Sequence, residues 1–327
     1  MKQNINVGIK LSIGSSLFAA LLGLSACAPS GSSVEGQADL AKNGDSSENY
    51  QPSRIIGGQE VAATDEISKM TGQLYVINPV KQKDPQTGKE TIIGASVGGC
   101  TVSIVSKNLV LTAHHCLTSQ HMFVYFSKDV VPESQQEEFF KTLATNPLVR
   151  QVVDADAPEL KGESKDSTRN IGDILLLKLS APIPDGFNVA PLLPTSFNLN
   201  TVKVVTLAGW GWTDGVKQTD TATLRKVEVA LKDANFTESE ILVGSVGKGA
   251  CHGDSGGPAY VNVDGKAYVA GVTSRADMRT DPKGQCISDT IYTKTQFFNS
   301  WIVESAKNLN APKAPEQVAA PSTVAKK

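Results

Sequence analysis

The sequence predicts an all-β protein, an antiparallel barrel or sandwich, and three observations carry that expectation. Short runs rich in β-branched and aromatic residues recur along the chain: GQLYVINP, TVSIVSKNLVLTA, MFVYFS, DILLLKLS, TVKVVTLAGWG, LRKVEVALK, PAYVNVDGKAYVAGVTS and TIYTKT. Gly, Pro, Asn and Asp separate them, which is the turn chemistry that closely spaced strands require. Helical periodicity is scarce, so the chain lacks the material for the βαβ crossovers of a parallel sheet. Two helices are expected: one in TQFFNSWIVESAKNL, where Phe297, Trp301 and Ile302 or Ser305 share a face, and a weaker one from Ser134 to Thr145. No GxGxxG, P-loop or internal repeat occurs.

The chain has 327 residues, 40% of them hydrophobic, enough for one large domain or two modest ones. A formal net charge of −2 with both signs interspersed gives no reason to expect nucleic acid or a polybasic membrane surface as a partner. Lys2 and Lys10 precede an apolar run, Leu11 to Ala26, interrupted by Gly14, Ser15 and Ser16. That run is too short for a comfortable bilayer span, so residues 1–26 read as a signal peptide. It ends in LSAC, Leu24 to Cys27, which resembles the lipobox of bacterial lipoproteins and implies acylation of Cys27. An ordinary signal peptide followed by a chance cysteine is the alternative. Residues 27–54 are Ser, Gly, Asn and charge without apolar periodicity and read as a flexible linker, and residues 308–327 read as a solvated Ala-Pro-Lys tail.

Five cysteines are an odd number for an exported chain. With lipid on Cys27, four remain, Cys100, Cys116, Cys251 and Cys286, enough for two disulfides in an oxidising compartment.

Chemistry concentrates in three segments far apart. In ACHGDSGGPAY, Ser255 lies between Asp254 and two glycines, with Gly253 two positions earlier. A serine attacking a carbonyl needs a tightly turned backbone whose N–H groups point at the oxyanion, and Gly253 adopts such angles at no steric cost. A glycine-flanked serine alone is more often a plain turn. A hydroxyl at its free pKa is a poor nucleophile, however, and needs a base whose tautomer is fixed by an acceptor. LTAHHC supplies imidazoles, and NIGDILLLKL supplies Asp173 at the head of an apolar strand, where an unpartnered charge is costly.

LTAHHC, GDILLLKL and CHGDSGGP resemble the three signature segments of chymotrypsin-like, trypsin-family serine proteases, in the family's His, Asp, Ser order. Further similarity runs through IIGG at Ile55 to Gly58, LAGWGWT, GVTS and FFNSWI, from Ile55 to about Ile302. The resemblance implies two antiparallel six-stranded β-barrels with a C-terminal helix, placed at 55–194 and 195–307. It implies His115 as the base, Asp173 as its orienter, Ser255 as the nucleophile, and Gly253 and Ser255 as oxyanion donors, by the mechanism known for that family. His114 stands where the family has alanine and is given no catalytic role. Disulfides Cys100–Cys116 and Cys251–Cys286 are implied, and Ser274 supports the Asp173 carboxylate. A metal site from His114, His115, Cys116 and His121 is weighed and set aside, because that cysteine is assigned to a disulfide and no spaced second cluster exists.

RIIGG also resembles the activation site of the family's zymogens: cleavage after Arg54 would free the Ile55 ammonium to pair with Asp254 and order the loop of Gly253 and Ser255. The pocket for the residue before the cut bond is implied to involve Gly249, Ser274, Arg275, Ala276 and Thr290. Gly249 replaces the anion of trypsins and Arg275 an aromatic wall, so small or medium apolar side chains are expected, with Asp277 and Asp289 as acids able to reach inward. The expected protein is an exported or lipid-anchored serine endopeptidase made as a zymogen. It needs no metal or organic cofactor, acts on protein or peptide substrates as a monomer, is cut by another protease or by itself, and meets the membrane only through Cys27. A non-catalytic envelope binding protein on the same fold, and an esterase using the same three residues, are the alternatives.

Overall fold

The computed structural model describes residues 55–312 apart from 160–171, 282, 284 and 288. The expected signal peptide, linker, Cys27 and Arg54 lie outside these residues, as does the tail beyond 312. After a two-residue strand β1 (Gln59–Glu60) and a single helical turn α1 (Ile67–Met70), six strands follow. They are β2 (Thr71–Lys83), β3 (Glu90–Ile104), β4 (Leu109–Thr112), β5 (Met122–Tyr125), β6 (Val149–Asp156) and β7 (Leu175–Leu179), with helix α2 (Glu133–Lys141) between β5 and β6. They close as an antiparallel barrel in the order β2-β3-β4-β7-β6-β5. The second set is β8 (Val204–Gly209), β9 (Arg225–Asp233), β10 (Glu240–Gly244), β11 (Pro258–Val263), β12 (Lys266–Ala276) and β13 (Thr290–Lys294). These run β9-β10-β13-β12-β11-β8 and close where β8 pairs with β9. Helix α3 (Asn299–Asn310) ends the described chain, and no helix among the described residues is long and apolar enough to cross a membrane. Two six-stranded barrels and a C-terminal helix are what the sequence led us to expect.

Each barrel buries its own apolar set. Leu74, Val102, Leu111, Val124, Leu175 and Leu177 fill the first, and Leu207, Val229, Ile241, Val243, Val261 and Ala270 the second. Each fully buried aliphatic chain contributes about 1.5–3 kcal/mol of transfer free energy. Closing both sheets leaves few unpaired edges.

Three features depart from the sequence expectation. The segment 55–60, assigned to the first barrel, lies on the second: Ile55 is fully buried in its core, and Gln59 and Glu60 pair with Lys226 and Arg225 of β9. Helix α3, assigned to the second barrel, packs into the first through Phe298, Ile302 and Leu309, while the Lys178 ammonium donates to the Leu309 carbonyl at 2.5 Å. Its buried face is therefore Phe298, Ile302, Ser305 and Leu309, one position on from the expected Phe297, which is exposed. The helix also reaches Asn310, into the segment expected to be tail. Finally, the strand expected to stop at Pro79 continues, and β2 and β3 run on as an exposed two-stranded ribbon to Lys83 and Glu90. A proline is tolerated there because a ribbon has an unpaired outer edge on which its missing N–H is not needed.

Candidate active site

Strand register brings Asp173 to His115. β4 and β7 are antiparallel with Thr112 opposite Leu175, so the residues just after β4 and just before β7 emerge at the same end of the first barrel. The chain leaving β4 makes a 3-10 turn, His114–Cys116, that carries His115 outward, while His114 faces solvent. Asp173 is almost wholly buried and holds that turn twice: its Oδ1 accepts the His115 backbone N–H at 2.9 Å and its Oδ2 lies 2.8 Å from His115 Nδ1. Ser274 Oγ donates to Oδ2 at 2.6 Å, and Thr293 Oγ1 to the Asp173 carbonyl at 2.9 Å. Burial alone would push the Asp173 carboxyl up, but the hydrogen bonds from the His115 ring, Ser274 and the His115 backbone hold it below the usual carboxylate range. The same bond to Asp173 raises the His115 pKa above the ordinary imidazole value, against the opposing effect of burial. A ring whose Nδ1 faces a carboxylate presents its Nε2 as the acceptor.

The serine loop, between β10 and β11, is tied to both barrels. Thr101 of β3 gives its N–H to the Ser255 carbonyl at 2.8 Å and its hydroxyl to the Gly253 carbonyl at 3.0 Å. Gly256 donates to the Thr273 carbonyl of β12 at 2.9 Å. Thr101 follows Cys100, which is bonded to Cys116, the residue after His115, and a His115 ring nitrogen lies within 4.8 Å of the Cys100 sulfur. One covalent bridge and one backbone hydrogen bond therefore hold the Ser255 loop beside the His115 turn. Because both sulfurs of that cluster are consumed in the disulfide, they offer no thiolates to a metal. Gly253 has φ +100°, a conformation that L side chains rarely adopt, and a Cβ there would also crowd the Gly211 backbone.

Asp254 is buried and accepts from Gly211 N–H at 2.7 Å and Cys251 N–H at 2.8 Å. Gly209 and Gly211 explain the glycines of LAGWGWT: a Cβ on either would overlap the Asp254 carboxylate. Burial raises its pKa to about 7, and the two backbone donors only partly offset that effect. Ile55 is buried in the same barrel, and Ile56 bridges to Gly249, two residues before Cys251.

Comparison with known proteins agrees with this geometry. The family described as Trypsin matches residues 80–302. The chain belongs to the trypsin family. Similar proteins include Trypsin-1 of Astacus astacus, 29% identical over 235 residues that cover 67% of this chain and 92% of that protein. The Venom plasminogen activator of Agkistrodon piscivorus leucostoma is 27% identical over 217 residues, covering 62% and 76%. Kallikrein-11 of Homo sapiens is 26% identical over 220 residues, covering 64% and 72%. As a trypsin-family domain with these relatives the protein is a serine endopeptidase, a hydrolase of peptide bonds.

Within this trypsin-family chain both expected disulfides form, Cys100–Cys116 and Cys251–Cys286, as suits an oxidising compartment. Of the expected pocket residues, Gly249, Ser274 and Thr290 are buried, and Ala276 pairs with Thr290 across β12 and β13. Arg275 does not stand as an open wall: its guanidinium is engaged by Glu240, at 2.6 and 3.2 Å. The two acids that the sequence left able to reach inward are already matched to cations, Asp277 by Arg279 at 2.7 Å and Asp289 by Lys232 at 2.5 Å. Gly253 also lines a groove of about 710 Å³ bordered by Tyr75, Val131, Trp210 and Ala222. Sequence reasoning missed Thr101, Thr293 and Glu240. Thr101 and Thr293 are ordinary strand residues, and nothing in TESEILVG separates the buried Glu240 from its neighbour Glu238.

Proposed function

We propose that this trypsin-family endopeptidase is exported as an inactive precursor, is activated by cleavage after Arg54, and hydrolyses peptide bonds through Ser255, His115 and Asp173. In this reading His115 Nε2 takes the Ser255 proton as the hydroxyl attacks the substrate carbonyl. The backbone N–H groups of Gly253 and Ser255 receive the oxyanion, and Asp173 stabilises the imidazolium that forms. His115 then gives the proton to the leaving amine, and water reverses the sequence on the acyl-enzyme. The observation that carries the reading is the Asp173 carboxylate, held by Ser274 and bonded at 2.8 Å to the His115 ring.

Activation is supported by Asp254, a buried acid whose described partners are two backbone N–H groups. A new ammonium on Ile55 would supply the cation that this carboxylate lacks, which ties the order of the Gly253–Ser255 loop to the cut. Gly249 at the pocket floor and Thr290 on its wall favour a small or medium apolar residue before the scissile bond. The leaving side of the substrate would run into the groove beside Gly253. With lipid on Cys27 the precursor is tethered, and cleavage at Arg54 releases the active domain from its anchor.

A fluorophosphonate probe should label Ser255 in the processed protein and fail to label a Ser255→Ala variant, and an Arg54→Gln variant should stay unlabelled and inactive. Active material should begin at Ile55, and peptide-library profiling reads the pocket. A processed protein that resists the probe would instead be a binding module on a protease fold; full activity of Arg54→Gln would overturn the activation step alone.

A further inference from the structure

Strand β12 is irregular between Thr273 and Arg275, where its register against β13 shifts. Consecutive side chains of a regular strand point to opposite faces, but an irregularity of this kind re-aims one of them. Here it lets Ser274 and Arg275 meet: an Arg275 terminal nitrogen lies 3.3 Å from Ser274 Oγ. The guanidinium is anchored from behind by Glu240 of β10, whose side chain is fully buried and which also accepts from Thr237 Oγ1 at 3.3 Å. The resulting chain of contacts is continuous, Glu240 to Arg275 to Ser274 to Asp173 to His115.

We propose that Arg275, held by Glu240, is a positioning residue of the peptidase site: it fixes the direction in which the Ser274 hydroxyl donates, and through that hydroxyl the Asp173 carboxylate. A guanidinium has N–H donors and no acceptor. Ser274 Oγ must therefore accept from Arg275, which leaves its single hydrogen for Asp173 Oδ2 at 2.6 Å. Without the cation nothing donates to the Ser274 oxygen, its bond to Asp173 loses that cooperative strengthening, and a less stabilised carboxylate grips the His115 proton harder. The anchor is part of the device, since Glu240 supplies a two-point charge-assisted contact to the guanidinium, at 2.6 and 3.2 Å. A bidentate, charge-assisted pair offsets the cost of burying that carboxylate. Among the described residues, other charges near Arg275 include Asp277, whose carboxyl its cation helps hold down, and Asp173 behind Ser274. The inference rests on the reading of Ser255, His115 and Asp173 as the reacting set.

The test is an NMR titration of the His115 ring in the full chain, read without turnover. It is made on the parent, Ser274→Ala, the apolar replacement Arg275→Met with Glu240→Leu, and all three changes together. The apolar pair should raise the His115 midpoint by about half a unit or more, the size expected for groups coupled in one network. In the Ser274→Ala background the same pair should add nothing. An unchanged midpoint in the folded pair variant, or the same increment with Ser274 absent, would overturn the proposal. If the pair variant does not fold, Arg275→Met with Glu240→Gln keeps an acceptor for Thr237 and carries the same expectation. Because the ring is observed directly, a parent protein that resists the fluorophosphonate probe would sink the proposed reaction while leaving the Arg275–Ser274 coupling separately readable.

Discussion

Asp173 shows how much one side chain decides. It meets the His115 ring, the His115 N–H and the Ser274 hydroxyl from a site with almost no solvent contact. Because the hydrogen bond to Asp173 raises the His115 pKa, the ring becomes the neutral base only above the ordinary imidazole value of about 6.5. The acid limb of kcat/KM against pH should accordingly be centred above that value. Asp173→Asn should move it down and lower kcat by about 10⁴-fold, the magnitude known for the Ser-His-Asp template of this family, with the melting temperature little changed. A pH–rate profile of both proteins checks the direction and the size. Asp173 itself was legible in the sequence as a charge stranded at the head of an apolar run. Its partner Ser274 was legible only through the resemblance, and Arg275 and Glu240 not as a pair, because 35 residues of chain separate them and only the β10–β13–β12 order brings them together.

At the scale of elements, a disulfide holds the His115 turn. The Cys100–Cys116 bridge closes a loop with a separation of 16 residues, and its loss should cost roughly 3 kcal/mol by the chain-entropy argument. Denaturant midpoints of the Cys100→Ala/Cys116→Ala protein measure it, and activity should fall further than stability because the His115 turn is carried on the bridge. Helix α3 closes the described chain on the first barrel. Phe298 is buried against the first barrel and Phe297 is exposed, so Phe298→Ala should destabilise by about 3–5 kcal/mol while Phe297→Ala stays within about 0.5 kcal/mol. Comparable losses in the two variants would contradict the observed face. The helix was visible in its amphipathic spacing, but spacing alone could not choose between adjacent positions, because Phe297 and Phe298 are the same residue type and the barrel surface makes the choice.

At the scale of the whole molecule, segments change barrels. Segment 55–60 crosses to the second barrel, α3 returns to the first, and the serine loop hangs between them on Thr101 and Thr273. In the uncut chain Asp254 keeps its proton in the folded state up to about pH 7, whereas an unfolded Asp loses it near 3.9. Between those values the folded state binds more protons, so stability falls as pH rises from about 4 to about 7. Scanning calorimetry of the Ser255→Ala precursor should show that fall. Asp254→Asn should remove it, and cleavage after Arg54 should abolish it by supplying an ammonium. An identical pH dependence in the Asp254→Asn protein would refute the assignment.

Local chemistry in the sequence determined the strand-rich class, because turn residues and short β-branched and aromatic runs each act within a few positions of chain, while the expected reacting residues and cysteine pairing came from the resemblance of its motif segments. Tertiary structure alone decided which barrel claims each end of the domain, how far the β2–β3 ribbon projects, and that Arg275 faces Glu240 rather than an open pocket. Those outcomes depend on strand register and on burial between segments distant in sequence, where a shift of one residue turns a side chain to the opposite face.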